Sequence, residues 1–292
     1  MQRVRMNVEC VPCLQRQAIE AMRMGRVDDE STERILRAAI GALSAMQWNE
    51  RPPILAQRIH ALLRDHLGYD PYYGIKKRCN ESALELYPVL ASTVSSSQDP
   101  LVSAVRIAIA GNIIDFGPTS DFDFEGTVKD FLTRPFALDG TPELKTSLED
   151  ASSVLLLADN AGEIVCDRLL IETIHETYGV SDVRVAIKGG PILNDATEED
   201  WRDVGFNELG YCTPLRVGNG EMTSGIPRES NAFRHVMDSY DTVIAKGQGN
   251  YEMLSENEDI FFLLTPKCPV LAESVGAPVG SLVCTRGHKS TR

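Results

Sequence analysis

Three apolar runs in the second half of the sequence each end in a group of Asp, Asn, Lys or Gly residues. The runs are LLLADNAGEIVCD (155–167), VRVAIKGGPILNDAT (183–197) and TVIAKGQGNYE (242–252). A short apolar run that breaks into such residues is typical of a strand in an open α/β sheet, where the ligand crevice lies at the carboxyl ends of the strands. The three strand ends therefore predict an enzyme that acts on a phosphorylated substrate.

The first two strand ends carry oxygen donors. Asp159 and Asn160 follow the first run, just before a helix expected to begin near Glu163, and such a turn can hold both a hard cation and a phosphate. Lys188 ends the second run, and Asp195 precedes a further helix, so Asp195 can approach Asp159 across neighbouring strand ends. Oxygen donors alone favour Mg²⁺ or Mn²⁺ over zinc. The alternative is that these residues only form turns and cap helices.

The third strand end carries Lys246, which two nearby glycines follow in the segment AKGQGN. Glycine lets backbone amides approach a ligand closely, and lysine is a natural partner for a phosphate group. The glycine spacing matches neither the Walker loop nor the dinucleotide-binding fingerprint. We therefore expect Lys246 to contact the phosphate of a substrate rather than a nucleotide cofactor.

The charge of the chain limits its partners. The formal net charge is −13, and the Lys and Arg residues are scattered along the sequence, so nucleic acid is disfavoured as a partner. An acidic protein that binds a phosphate has to cancel its own field locally, which favours a bound cation. The expected partner is thus a small phosphorylated metabolite, while the oligomeric state does not follow from the sequence.

Hydropathy and cysteine content predict a location. No apolar stretch approaches the roughly 20 residues that a bilayer span requires, and no export signal follows the first residues. The seven cysteines are an odd number spread over a chain of 292 residues, which favours reduced thiols over a disulfide framework. We expect a cytoplasmic protein without membrane contact.

The order of helical and strand-like patterns predicts two domains. Residues 1–100 read as an all-helical domain, in which Ser31 or Thr32 is expected to cap the second helix. Residues 101–292 begin with a segment that we interpret as a helix ending near Gly111, followed by a polar stretch to about Asp150. Strands and helices then alternate, which predicts a largely parallel, doubly wound, Rossmann-like three-layer α/β domain.

Three cysteines near the N-terminus form a second notable group. Cys10 and Cys13 lie in CVPC, and Cys79 lies in KKRCN, but the sequence has no second Cys-x-x-C to complete a strong metal motif. Reduced thiols at a helix start, a structural or regulatory metal, and a redox switch all stay open. The five histidines show no ligand spacing, which disfavours a histidine zinc site.

Four ordered motifs carry a resemblance to a known family. GNIIDFG, ADNAGEIVCD, KGGPILNDAT and AKGQGNYE occur in this order behind a helical region that contains CVPC and DPYYGIKKRCN. This combination resembles the damage-control phosphatase family, also called domain of unknown function 89, over nearly the whole chain. The Cys-x-x-C motif is similar to that of the archaeal and bacterial branch.

The resemblance implies a metal-dependent hydrolase of phosphate monoesters, either sugar phosphates or damaged phosphometabolites. It implies that the metal ligands are Asp159, Asn160 and Asp195, that Lys246 contacts phosphate, and that the GN-x-x-D segment lies near the substrate. The expected catalytic residues are Asp159, Asn160 and Lys246. Mg²⁺ or Mn²⁺ is the expected cofactor, with Co²⁺ or Ni²⁺ as alternatives. The expected substrate-binding residues are Gly111, Asn112, Asp115, Glu163, Lys188 and Lys246.

Two mechanisms and two other functions stay open. Asp159 either only binds the metal, while an activated water attacks phosphorus, or is itself a nucleophile that forms an aspartyl-phosphate. The alternatives to a phosphatase are a carboxyl methyltransferase that uses S-adenosylmethionine and a noncatalytic metabolite-binding protein. The methyltransferase lacks support because ADNAGE, and not a glycine-rich loop, follows the first clear strand.

Overall fold

The computed structural model describes residues 4–111, 124–218, 225–228 and 230–288. No helix within these ranges is long and apolar enough to cross a membrane. The helices are α1 (Cys10–Met24), α2 (Asp29–Ser44), α3 (Pro52–Leu67), α4 (Tyr73–Ser95), α5 (Pro100–Ala110), α6 (Phe124–Thr133), α7 (Thr141–Glu149), α8 (Glu163–Tyr178), α9 (Glu198–Asp203), α10 (Asn231–Asp238), α11 (Gly247–Leu254) and α12 (Pro269–Val275). The strands are β1 (Phe136–Asp139), β2 (Ser153–Leu157), β3 (Asp182–Lys188), β4 (Cys212–Gly218), β5 (Ile226–Pro227), β6 (Thr242–Lys246), β7 (Ile260–Leu264) and β8 (Leu282–Arg286).

The strands form one eight-stranded sheet in the order β1-β8-β7-β6-β2-β3-β4-β5. Neighbouring strands pair in parallel throughout, except that β7 and β8 are antiparallel. The chain runs outward from β2 through β3 to β5 and then returns to β6 on the other side of β2. This reversal creates the crevice at the carboxyl ends of the strands in which doubly wound folds bind ligands. The predicted, largely parallel sheet is confirmed.

Helices cover both faces of the sheet, which explains why its central strands are apolar along their whole length. Leu156 of β2 belongs to the core that α4, α5 and α8 cover. Leu155 and Leu157 point to the opposite face and belong to the core that α10, α11 and α12 cover. The alternation of side chains along a strand therefore distributes SVLLL between two cores and gives the predicted three layers.

The N-terminal helices divide between two cores. Helices α1, α2 and α3 pack around Leu14, Ile35 and Ile59 in a core of their own. By contrast, α4 contributes Ala83 and Leu90 to the core on the α8 side of the sheet. A domain boundary near residue 100 stays a prediction, but the fourth helix is packed as part of the sheet layer.

Two local expectations differ from the structure. The predicted cap of the second helix is wrong, because Asp28 caps α2 by accepting a hydrogen bond from the Ser31 backbone at 2.9 Å. The predicted polar stretch up to about residue 150 contains α6, β1 and α7. The β1 strand has only four residues, which is too short to give a clear alternating pattern. The helix predicted to end near Gly111 is confirmed as α5.

A core substitution tests the layered packing. Leu156 is 0% exposed, so Leu156→Ala should lower the free energy of unfolding by about 2–5 kcal/mol, through lost apolar burial and the cavity left behind. Leu62→Ala is the matched control because Leu62 is 37% exposed, and it should have a much smaller effect. Equal losses in urea unfolding of the two variants would contradict the assignment of Leu156 to the core.

Candidate active site

Backbone hydrogen bonds join the two segments that carry the predicted metal ligands. Asn160 and Asp195 form an isolated antiparallel bridge. The Ala196 N–H donates to the Asp159 carbonyl at 2.8 Å, and the Ala161 N–H donates to the Asn194 carbonyl at 2.8 Å. The turn after β2 is therefore tied to the loop before α9 at the carboxyl edge of the sheet. That Asp159, Asn160 and Asp195 share one metal ion stays a prediction.

The carboxylate of Asp159 lies against the start of α11. Gly247, the first residue of that helix, has φ +77°, and a Cβ atom built there would lie 1.8 Å from Asp159 Oδ2. Only glycine provides both the backbone angle and the space that this approach requires. The positive end of the α11 dipole therefore lies beside the Asp159 carboxylate, at a position that also favours a phosphate group.

Negative charge is concentrated around Asp159. Burial, followed by the Glu163 and Asp195 carboxylates, raises the pKa of Asp159 to about 7, although Lys267 and Lys188 oppose the rise. A carboxyl group with a raised pKa in this setting gains from a nearby cation, which would favour its ionised form. The electrostatics of the turn thus suit a bound metal ion.

The donor set fits a hard cation in its chemistry. Two carboxylates and one amide provide only oxygen ligands, which suit Mg²⁺ or Mn²⁺. The described part of the chain contains no group of three or more His, Cys, Asp and Glu residues in a metal-binding arrangement. The predicted set contributes only two such residues, Asp159 and Asp195, so its third ligand has to be the amide of Asn160.

The lysine at the end of β3 faces the acidic edge. Lys188 is 8% exposed, and its Nζ atom lies 3.3 Å from Asp195 Oδ2. Burial and the nearby Arg228 lower the pKa of Lys188, while Asp195 and Asp159 oppose that change. Lys188 therefore places a positive charge beside the predicted ligands, and its contact with a substrate phosphate stays a prediction.

The lysine at the end of β6 is fully buried. Lys246 is 0% exposed, and its ammonium donates to Glu163 Oε1 at 2.7 Å, to the Ala108 carbonyl at 2.8 Å and to Asp167. Burial opposes its charge, but the Asp167 and Glu163 carboxylates raise the pKa of Lys246 above its ordinary value. Its predicted contact with phosphate stays a prediction, and the structure adds a role as the counter-ion of two buried acids.

Glu163 connects that lysine to the predicted ligands. Its side chain is 1% exposed, and its second oxygen accepts a hydrogen bond from Asn160 Nδ2 at 3.2 Å. The same Asn160 nitrogen lies 3.1 Å from Asp159 Oδ2. Glu163, predicted as a substrate contact, thus links Lys246 to the turn that carries Asp159 and Asn160.

Sequence reasoning missed Asp167. This residue is 0% exposed, and burial raises its pKa to about 7, with Lys246 opposing and Glu163 reinforcing the rise. Its Oδ2 atom has no hydrogen-bond partner among the described residues, which disfavours the ionised form. The sequence spacing could have indicated this residue, because Asp167 follows Glu163 by four residues and therefore lies on the same face of α8 as Glu163.

The glycine of the predicted GN-x-x-D segment lies next to this network. Gly111 follows α5, and a Cβ atom built there would lie 3.2 Å from Cys166 Sγ and 3.4 Å from Glu163 Cα. Close packing of α5 on the start of α8 therefore favours a residue without a side chain. Asn112 and Asp115, the other two predicted substrate contacts of this segment, lie outside the described residues.

The three noted cysteines do not share one environment. Cys10 and Cys13 lie one turn apart at the start of α1, and Cys10 packs against the core of the N-terminal helices. Cys79 instead packs against the core on the α8 side of the sheet. All seven cysteines are free thiols, and burial raises the pKa of Cys10.

The fold and the acidic strand ends define a doubly wound α/β protein with a charged site at its switch point. Residues 6–283 match the damage-control phosphatase ARMT1-like domain, and the chain belongs to this family. The resemblance noted in the sequence motifs is confirmed.

Curated relatives agree with this assignment. A damage-control phosphatase of Pyrococcus horikoshii is 34% identical over 97% of this chain and 98% of the relative. A damage-control phosphatase of Archaeoglobus fulgidus is 34% identical over 82% of this chain and 84% of that protein. The crystal structure of a DUF89 family protein from Pyrococcus horikoshii superposes with a TM-score of 0.85 at 33% identity, covering 97% of this chain and 99% of that one.

A pair of glycine substitutions tests the contact between Asp159 and α11. Gly247→Ala should displace the carboxylate and strain the backbone, lowering the free energy of unfolding by more than about 1 kcal/mol and weakening Mn²⁺ binding. Gly249→Ala is the matched control on the same helix, because a Cβ atom there meets nothing within 4 Å. Chemical unfolding and calorimetric Mn²⁺ titration measure both effects, and equal behaviour of the two variants would refute the proposed contact.

A second substitution tests the buried ion pairs. Lys246→Met should lower the free energy of unfolding by about 3–5 kcal/mol because it leaves Glu163 and Asp167 buried without their cation. Lys145→Met removes a more exposed ion pair with Asp99 and should cost no more than about 1 kcal/mol.

The pH dependence of the Lys246→Met variant gives an independent check. The pKa of Asp167 is already raised to about 7, so its stabilising contribution is complete below the unfolded pKa of about 4 and is lost as the pH rises through about 7. Loss of Lys246 should raise this pKa further, so the deficit of the variant should be larger at pH 8 than at pH 5.5. A deficit independent of pH would argue against buried, titrating carboxyl groups.

Proposed function

We propose that the protein is a metal-dependent phosphatase that hydrolyses phosphate monoesters of sugar phosphates or damaged phosphometabolites. The observation that carries the proposal is the backbone bridge between Asn160 and Asp195, which joins two oxygen-donor segments at the switch point of the sheet. Membership of the damage-control phosphatase family and relatives of that name support the same reaction class. The free thiols are consistent with a cytoplasmic location, which we propose with it.

The metal ion would be held by Asp159, Asn160 and Asp195, with Mg²⁺ or Mn²⁺ favoured and Co²⁺ or Ni²⁺ as alternatives. A divalent ion bound there would neutralise phosphoryl oxygens and lower the pKa of water. The raised pKa of Asp159 supports this metal site, because it reflects burial and an excess of negative charge from the surrounding carboxylates that a bound cation would balance. Asp159 serves either as a ligand only or as the nucleophile, and the two routes differ in whether a phosphoryl-enzyme forms.

The remaining residues bind and orient the substrate. Lys188, at the end of β3, supplies a positive charge beside Asp195, and the amide groups at the start of α11 provide donors for phosphoryl oxygens. Lys246 supplies a buried positive charge, and its hydrogen bond to Glu163 holds that carboxylate where it accepts a hydrogen bond from Asn160. Gly111, Asn112 and Asp115 complete the proposed substrate contacts.

A matched pair of Asp→Asn variants tests the proposal. Asp159→Asn should lower kcat toward hexose phosphates by on the order of 100-fold or more, since it removes a charge that binds the metal or attacks phosphorus. Asp182→Asn, at the exposed opposite end of β3, should retain full activity. Phosphate release is measured with Mg²⁺, Mn²⁺, Co²⁺ or Ni²⁺ and with a chelator.

Three results of this assay would contradict the proposed function or part of it. Activity that persists in chelator would exclude metal dependence, and full activity of Asp159→Asn at saturating metal would exclude both roles of this residue. Absence of phosphate release from every sugar phosphate, together with methyl transfer from S-adenosylmethionine to protein carboxylates, would favour the methyltransferase.

A further inference from the structure

A buried asparagine on the fourth helix contacts both segments of the site. Asn80, in the KKRCN motif of α4, is 2% exposed. Its Oδ1 atom accepts a hydrogen bond from the Gly162 backbone at 2.7 Å, and its Nδ2 atom donates to Asp200 Oδ1 at 2.9 Å. Gly162 closes the turn that carries Asp159 and Asn160, whereas Asp200 lies on α9, which follows Asp195. One side chain thus bridges the two segments.

Asp200 fixes the start of α9. Its Oδ2 atom accepts hydrogen bonds from the Thr197 backbone at 2.8 Å and from the Thr197 hydroxyl at 2.7 Å, and it lies 2.8 Å from Lys76 Nζ. Burial opposes the ionised form, but Lys76 and these hydrogen bonds hold the pKa of Asp200 below its usual value. Since Thr197 is separated from Asp195 by one residue, this cap also fixes the chain at Asp195.

Gly162 plays the corresponding part on the other segment. It lies at the N-cap of α8 with φ +77°, and the first backbone N–H groups of a helix have no partner within the helix. Asn80 provides that partner, so it fixes both the direction of the turn and the start of α8. Two backbone hydrogen bonds join this turn to residues 194–196. Both of the segments that these bonds join are anchored to α4.

We propose that Asn80 is a positioning residue that holds the segments of Asp159, Asn160 and Asp195 at the spacing required to bind one divalent cation. This inference rests on the proposed metal site. It assigns to the helical region a part in the chemistry that is independent of the Cys-x-x-C motif. Outer residues that orient metal ligands typically change metal affinity or activity by about 10–100-fold when they are removed.

Two measurements on Asn80→Ala test this role. Calorimetric titration should show about 10–100-fold weaker Mn²⁺ binding. In the metal-free protein, backbone amide exchange should become faster in residues 160–165 and 195–200, because both segments lose their link to α4. Thr173→Val is the control for a general loss of stability, since its buried hydroxyl donates only to the Leu169 carbonyl within α8, and it should leave Mn²⁺ affinity unchanged.

A swap of the amide and the carboxylate separates positioning from general packing. Asn80→Asp alone sets two carboxylates against each other, and Asp200→Asn alone weakens the pair with Lys76, so each should reduce Mn²⁺ affinity. The double substitution keeps one amide facing one carboxylate, and the new carboxylate lies one turn from Lys76 on α4, at a spacing that permits an ion pair. It should restore affinity to within a few-fold of the original protein.

The outcomes distinguish this inference from the proposed function. Unchanged Mn²⁺ affinity and exchange in Asn80→Ala would overturn the role of Asn80 while leaving the metal site intact. Absence of Mg²⁺, Mn²⁺, Co²⁺ and Ni²⁺ binding by the original protein would instead overturn the proposed function, and amide exchange would then decide whether Asn80 fixes the two segments. Should Asn80→Ala fail to fold, the swap decides, because failure of the double substitution to recover Mn²⁺ affinity would contradict the proposal.

Discussion

Burial of negative charge at the end of β2 is the constraint on which the rest of the site depends. Glu163 and Asp167 are almost fully buried, Lys246 forms an ion pair with each of them, and burial and the Glu163 carboxylate raise the pKa of the nearby Asp159. A buried charge without a partner is strongly unfavourable, so each carboxyl group requires a cation, a hydrogen-bond donor or a proton. Lys246 supplies the first, Asn160 supplies the second to Glu163, and the raised pKa of Asp167 reflects the third. That a divalent ion balances the charge of Asp159 stays a prediction.

The topology of the sheet sets where this charge can collect. Because β6 and β3 flank β2, their terminal lysines, Lys246 and Lys188, lie on either side of the Asp159 turn. The buried Lys246 neutralises the acids of α8, whereas Lys188 reaches the acid of the neighbouring loop. The two strand-end lysines therefore pair with different acids, Lys246 with those of α8 and Lys188 with Asp195.

The strands and the clustering of chemistry at their ends were predictable because both depend on local sequence. Short apolar runs that break into polar residues indicated β2, β3 and β6 and brought Asp159 and Asp195 to one edge of the sheet. The roles of Asn80 and Asp200 were not predictable, since these residues are 120 positions apart and meet only when α4 packs beside α9. The sequence also predicted a helical domain separate from the site. In the structure, α4 is hydrogen-bonded to both segments of the site.

The most direct measurement is a crystal structure of the protein with Mn²⁺, in which anomalous scattering locates the ion. We predict one peak at the carboxyl edge of β2, with oxygens of Asp159, Asn160 and Asp195 at about 2.0–2.6 Å. A peak bound by other residues, or no peak under conditions that support phosphatase activity, would contradict a metal site shared by these three residues.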